Sequence, residues 1–273
     1  MRGVTAKTII EGAGTVAGAV LVLSVGCVWA QAADLSARDI ATKLHKAEAG
    51  TPIDLTAHDL SNLDLAGLDF KAANLTKANL YGVDLSAAKL IGANLAGAKL
   101  DRAIVARADF SNANLEGASV LRPSVYNSLE FSPAETPKFA GANLKGVTLI
   151  ARLDGADFSG ADLSGATVGP VNEADDTLVT RSSRMIAPNF TGANLSGAVL
   201  RHVDFSYGRF SGANLSGASL KNANLANADL SGADLTGADV SETNFEGANL
   251  TGAKGLDTLK GLSTARNFDR ALR

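Results

Sequence analysis

Large apolar residues return at every fifth position from residue 51 onward. The first run is Leu55, Leu60, Leu65, Phe70, Leu75, Leu80, Leu85, Leu90, Leu95, Leu100, Val105, Phe110, Leu115, Val120 and Val125. A small residue stands two places before most of them, as at Ala73, Ala78, Ala93 and Ala98. The phase is lost after residue 125 and regained at Phe139, Leu144 and Leu149. It slips by one residue around Leu153-Asp154 and continues through Phe158, Leu163 and Val168. A third run covers Phe190, Leu195, Leu200, Phe205, Phe210, Leu215, Leu220, Leu225, Leu230, Leu235, Val240, Phe245 and Leu250. Counting Leu153, the runs hold 15, 7 and 13 units, 35 in all.

A period of five excludes both regular elements. Along an α-helix, five residues rotate a position by about 500°, so the leucines would spiral round every side. Along a flat strand, an odd spacing would send successive leucines to opposite faces. The pattern fits a chain that turns a corner once per unit and points one large apolar residue inward from each side. Such coils become stable only when stacked.

Units such as Ala193-Asn194-Leu195-Ser196-Gly197 and Ala233-Asp234-Leu235-Thr236-Gly237 resemble the pentapeptide repeat family, whose unit is A-[D/N]-[L/F]-x-x. The resemblance covers about residues 51–254. It implies an all-β solenoid, a right-handed quadrilateral β-helix with four units per coil. Thirty-five units then give about nine coils and, at a strand spacing of about 4.8 Å, a stack about 40 Å long. That geometry places Phe70, Leu90 and Phe110 on one side, and Phe205, Leu225 and Phe245 likewise on one side. The stacked core is expected to include Leu55, Phe70, Leu75, Leu95, Phe110, Leu115, Phe190, Leu195, Phe205, Phe210, Leu215, Leu235 and Phe245. The residues just before the central ones place Asp54, Asn74, Asn94 and Asn114 in a polar ladder that serves mutual hydrogen bonding rather than a ligand.

Solenoid ends must be protected from edge-to-edge pairing. Residues 34–50 are expected to form an N-terminal helical cap, with Ser36 and Asp39 resembling a capping box and Ile40, Leu44 and Ala47 at helical spacing. Residues 255–273, with Leu256, Leu259 and Leu262, are expected to form a C-terminal helical cap, made basic by Lys260, Arg266, Arg270 and Arg273. Two interruptions, 126–138 and 169–189, hold four of the six prolines. The second also holds Glu173, Asp175, Asp176, Arg181 and Arg184, the candidate binding-loop residues, because insertions in a solenoid project from its surface.

Ahead of the repeat, residues 1–33 read as a signal peptide or membrane anchor. Arg2 and Lys7 supply a basic start, the stretch 12–33 is free of charge, and Ala30-Gln31-Ala32 fits a cleavage site before Ala33. A retained segment 12–33 would be a membrane tether. Leu23-Ser24-Val25-Gly26-Cys27 resembles a bacterial lipobox and makes Cys27 a candidate lipid attachment point, although the leucine stands one place too far from the cysteine. The expected location is therefore exported, periplasmic or membrane-anchored.

Chemistry is sparse. A single cysteine allows no internal disulfide. His45, His58 and His202 share no metal spacing, and the acidic trio in the second interruption lacks the grammar of a calcium loop. Catalytic motifs are absent from the sequence, so no enzyme and no cofactor are expected. Net charge is only −3, against a strongly basic nucleic-acid binder. Some members of the resembled family mimic DNA and bind DNA gyrase. Residues 51–250, however, hold 22 acidic and 15 basic side chains, a net of −7, whereas a duplex carries about 24 charges over about 40 Å. The leading expectation is a non-enzymatic exported scaffold in the cell envelope that binds a protein or other envelope macromolecule and not nucleic acid, with homodimers through the solenoid ends as a further outcome. A DNA mimic acting on a topoisomerase stands second. A cryptic polysaccharide-active β-helix enzyme stands third, disfavoured because Asp54, Asp59, Asp64 and Asp69 occupy successive sides.

Overall fold

The computed structural model describes residues 34–48, 51–125, 135–169 and 183–273. Residues 1–33, with Cys27, lie outside the described residues, as do Glu173, Asp175, Asp176 and Arg181. Among the described residues no helix is long and apolar enough to cross a membrane.

The chain winds as a right-handed quadrilateral β-helix. Its sides pair in parallel with the coil above, and each coil advances by one such pairing. The first side stacks Asp54, Asn74, Asn94, Asn114, Asn143, Asp162, Asn194, Asn214, Asp234 and Lys254. The second starts at Asp59, the third at Asp64 and the fourth at Asp69. Ten residues in the first column define ten coils, one more than the pentad count suggests. The difference has two sources: the third run begins one side earlier than Phe190, with Met185 buried at the centre, and residues 254–273 form a complete further coil.

Among the described residues two elements are long enough to count as strands, β1 (Ser119–Leu121) and β2 (Thr148–Ile150), which pair in parallel with Val120 opposite Leu149. Every other side is a single paired residue between corners, because a turn every five residues leaves no room for more. The corner position is left-handed: Gly92, Gly97, Gly192 and Gly197 have φ of 67°, 65°, 66° and 64°. A residue with a Cβ pays for this backbone conformation, which explains the recurrent SGA and TGA tripeptides.

Inside, the central and small residues form one continuous core in which Leu55, Phe70, Leu75, Leu95, Leu115, Phe190, Leu195, Phe205, Phe210, Leu215, Leu235 and Phe245 are fully buried and Phe110 is 1% exposed. Five rings on the fourth side, Phe110, Phe139, Phe158, Phe190 and Phe210, stack face to face with centroids 5.1, 4.9, 4.8 and 5.0 Å apart in turn. The stack passes both interruptions without a gap, so each inserted segment leaves and rejoins the wall in register.

The ends are closed differently. Helix α1 (Ala37–Lys46) is capped by Ser36, whose hydroxyl accepts from the Asp39 N–H while Asp39 accepts from the Ser36 N–H. It buries Ile40 and Leu44 against the first coil. Lys71 donates from Nζ to the Leu44 and Ala47 carbonyls at 2.8 and 3.2 Å, satisfying acceptors the helix end leaves open. Asp34 pairs by backbone and side chain with Asp59, occupying part of the exposed first rung. The C-terminal expectation needs correction. Residues 255–273 form no α-helix; they make a tenth coil whose sides are six residues long, with Lys254, Lys260, Arg266 and Leu272 at the pairing positions. The extra residue per side is absorbed by 3-10 turns at Leu256–Thr258, Leu262–Thr264 and Phe268–Arg270. Each begins from a left-handed residue, Gly255, Gly261 or Asn267. At Gly261 a Cβ would meet the Ser241 hydroxyl and backbone, so no other residue fits there without displacement.

Candidate functional site: the third side of the solenoid

Ahead of the last coil, the departures from the regular coil among the described residues gather on one flank. The first insertion falls between Ser124 on the third side and Lys138 on the fourth, a step of 14 residues where 5 is the rule. The second falls between Thr167 on the second side and Arg184 on the third, a step of 17. Both segments are therefore hinged at the third side. Their regular pairing resumes earlier than the sequence suggests, since Lys138, Arg184 and Asn189 all stand at pairing positions.

That placement corrects one residue role. Arg184 belongs to the wall and not to the loop tip. Its guanidinium Nε donates to both carboxylate oxygens of Asp154 at 3.1 and 3.0 Å, and Nη2 pairs with the same group. The Ile186 N–H completes the set at 2.9 Å. Asp154 is 3% exposed, and a buried carboxylate needs such partners. The pair thus anchors the end of the second insertion onto the coil beneath it.

Coil five carries the one-residue slip as a four-residue step from Thr148 to Arg152. The shortened corner stays bonded to the coil below through the Arg122 N–H and the Ile150 carbonyl at 2.8 Å, and the matching corner there contains Pro123. The rung between Ser124 and Arg152 is missing, the single missing rung among the described residues of the four columns. Among the described residues the Val125 N–H, the Arg152 N–H and the Pro123 and Arg152 carbonyls find no backbone partner there. A cavity of about 380 Å³ opens at this split, lined by residues 122–125 and 150–152.

The same side concentrates guanidinium groups. Of the seven arginines described between residues 54 and 254, six lie on it or its two corners: Arg102, Arg107, Arg122, Arg152, Arg184 and Arg201. Arg102, Arg107 and Arg122 occupy left-handed corner positions, with φ of 59°, 61° and 51°. Carboxylates nearby are engaged: Asp154 by Arg184, and Asp101 by the Ser119 hydroxyl at 2.5 Å and the Leu121 N–H at 3.0 Å. Sequence reasoning missed this clustering, because the arginines are spread over a hundred residues and share a face only once the 20-, 19- and 29-residue coil lengths are known.

The remaining polar columns have structural employment. The Asn114 amide donates to Asn94 at 3.0 Å and the Asn143 amide to Asn114 at 2.9 Å. Each acceptor oxygen also takes the backbone N–H two residues on, as Asp84 does from Ser86 at 2.8 Å. His58 faces Asp34 at 3.5 Å. Among the described residues no group of three His, Cys, Asp or Glu side chains is placed to hold a metal ion.

These features define a class: a four-sided parallel β-solenoid whose columns hold the wall and whose one irregular flank presents charge. The family model described as pentapeptide repeats (8 copies) matches residues 54–90, 78–117, 138–168, 185–217 and 213–252, and the chain belongs to the pentapeptide repeat family. Similar solved structures include HetL, a pentapeptide repeat protein involved in heterocyst differentiation regulation in the cyanobacterium Nostoc sp. strain PCC 7120. It is 25% identical, covers 83% of this chain and 94% of that one, and has a TM-score of 0.35. A pentapeptide repeat protein of the cyanobacterium Cyanothece 51142 is 22% identical over 50% of this chain and 90% of that one, with a TM-score of 0.32. Full-length QnrB1, a plasmid-mediated fluoroquinolone resistance protein, is 22% identical over 72% and 89%, with a TM-score of 0.23. No curated protein matches the chain.

Proposed function

We propose that the protein is a non-enzymatic, exported repeat scaffold that engages a protein partner in the cell envelope through the third side of its solenoid. The observation that carries this reading is the gathering on one flank of both insertions, the split rung and six arginines, in a wall that is otherwise regular up to its last coil. A plain spacer needs none of these. Export rests on the residue pattern of 1–33. A DNA mimic acting on a topoisomerase is less well supported, since a row of arginines interrupts the acidic surface such mimicry requires.

Two measurements test the reading together. Cell fractionation with intact-mass analysis is expected to find a species beginning at or near Ala33, or one acylated at Cys27. An uncleaved, soluble cytoplasmic species overturns export and returns the topoisomerase reading to first place. Deleting residues 171–181, which leaves the Asp154–Arg184 anchor in place, is expected to abolish partner capture in crosslinked envelope extracts while the far-ultraviolet circular dichroism is unchanged. Retained capture of the same partner would remove the second insertion from the interface.

A further inference from the structure

The cavity at the split rung has the composition of a receptor, and we infer that it binds a carboxylate carried on an apolar body. Three observations converge. Its two charged walls are Arg122 and Arg152, both exposed, and neither guanidinium makes a hydrogen bond or ion pair among the described residues. At the missing rung the Val125 and Arg152 N–H groups have no backbone partner among the described residues, although Val125 is only 4% exposed. The rest of the lining is Ser124 and four apolar residues, Pro123, Val125, Ile150 and Ala151.

Backbone N–H groups and guanidinium forks lining one cavity suit a planar oxyanion, which a guanidinium can meet with two parallel hydrogen bonds. A buried N–H without a partner is costly, and proteins satisfy such groups with backbone, side chains, water or ligand. An apolar floor disfavours a bare inorganic anion, which would stay hydrated on that side, and favours a ligand with a hydrocarbon part to bury. The volume of about 380 Å³ lies in the range of small-molecule sites. Two sources supply this chemistry: a free organic acid, or the C-terminus of a peptide ending in an apolar residue. The latter also offers an N–H to the unpaired Pro123 and Arg152 carbonyls. The inference requires neither export nor the inserted segments.

Isothermal titration of the full purified chain tests it, with 4-methylpentanoate, an acetylated tripeptide ending in leucine as the free acid, the same peptide as its C-terminal amide, and inorganic phosphate. The expected result is binding of one or both acids and none of the amide or phosphate. Arg122→Gln and Arg152→Gln are each expected to weaken the acid about tenfold or more, the loss typical of a charge-assisted hydrogen bond. Their thermal midpoints should stay at the parental value, because neither side chain makes a hydrogen bond or ion pair among the described residues. Arg102→Gln, on the same flank but outside the cavity, should leave binding unchanged. A tighter peptide acid assigns the C-terminus of a chain, and a tighter 4-methylpentanoate assigns a free acid. Equal binding of acid and amide, undiminished binding by the double Gln variant, or no heat from either acid at millimolar concentration overturns the inference.

Discussion

At the scale of single residues, the difference between Asn and Asp at the pairing positions follows from the direction of the ladder. The donor is the amide of the later coil and the acceptor the oxygen of the earlier one: Asn79 gives to Asp59 at 2.9 Å, Asn194 to Asp162 at 3.0 Å, and Asn224 to Asp204 at 2.9 Å. An aspartate can therefore begin a ladder, and an asparagine is needed to continue it. Coil one starts all four sides with Asp54, Asp59, Asp64 and Asp69, where no earlier coil asks for a donor. Asn224→Asp would set a second carboxylate against Asp204 in place of an amide donor. It is expected to cost about 1–3 kcal/mol at neutral pH, the penalty for an unsatisfied, like-charged contact. The repulsion raises the carboxyl pKa of the pair, so acidification toward about pH 4.5 should restore part of the loss by supplying an O–H donor. Urea titrations at both pH values would show this, and a loss that is equal at both would mean the ladder contributes only geometry.

The coil is the element of this fold, and its coherence depends on the interior. Leu215 is fully buried in the third-run core, between the coils of Leu195 and Leu235. Leu215→Asp would place an uncompensated charge in that stack. The expected loss is about 3–5 kcal/mol, large beside the marginal stability of most domains. Thermal denaturation followed by circular dichroism measures it, and an unchanged midpoint would contradict the assigned register. The repeat period, the inward leucines and the corner glycines were all legible in the sequence because each is a local requirement met every five residues. The final coil was less legible. Gly255-Leu256-Asp257-Thr258-Leu259-Lys260 and the two segments after it keep the side but lengthen the corner, so a six-residue solenoid side reads as a short amphipathic helix.

For the molecule as a whole, net charge describes little and charge placement describes more. Many acidic side chains stand at pairing positions, and at four of these local donors favour the ionised form. The Thr56 hydroxyl and N–H lower the pKa of Asp54, the Ser61 groups lower that of Asp59, and the Thr236 groups lower that of Asp234, each below the ordinary 3.8. At Asp239 burial acts in the opposite direction, but hydrogen bonds from Ser241, with Lys221 and Arg201 nearby, still leave the value lowered. A carboxyl depressed in the folded state stabilises the fold fully above its unfolded value and loses that contribution as pH falls through the folded one. The thermal midpoint is thus expected to hold from neutrality to about pH 4 and to decline below it, where these four groups take up protons. A midpoint that rose on acidification below this range would mean that repulsion within the columns outweighs the local hydrogen bonds.

The sequence by itself determined the period, the inward set of apolar residues, the family and the two breaks, because these depend on neighbours five residues away or fewer. It left unstated that Phe110, Phe139, Phe158, Phe190 and Phe210 form one stack, that Arg184 belongs to the wall, and that Ser124 and Arg152 fail to pair. Those facts depend on which coil lies beneath which, and coil length changes from 20 to 29, 19 and 32 residues across the insertions and the slip. Only the stacked backbone, in which every strand-to-strand hydrogen bond must find its partner one coil away, decides that registry. The third side with its arginines and its open rung is a consequence of that decision.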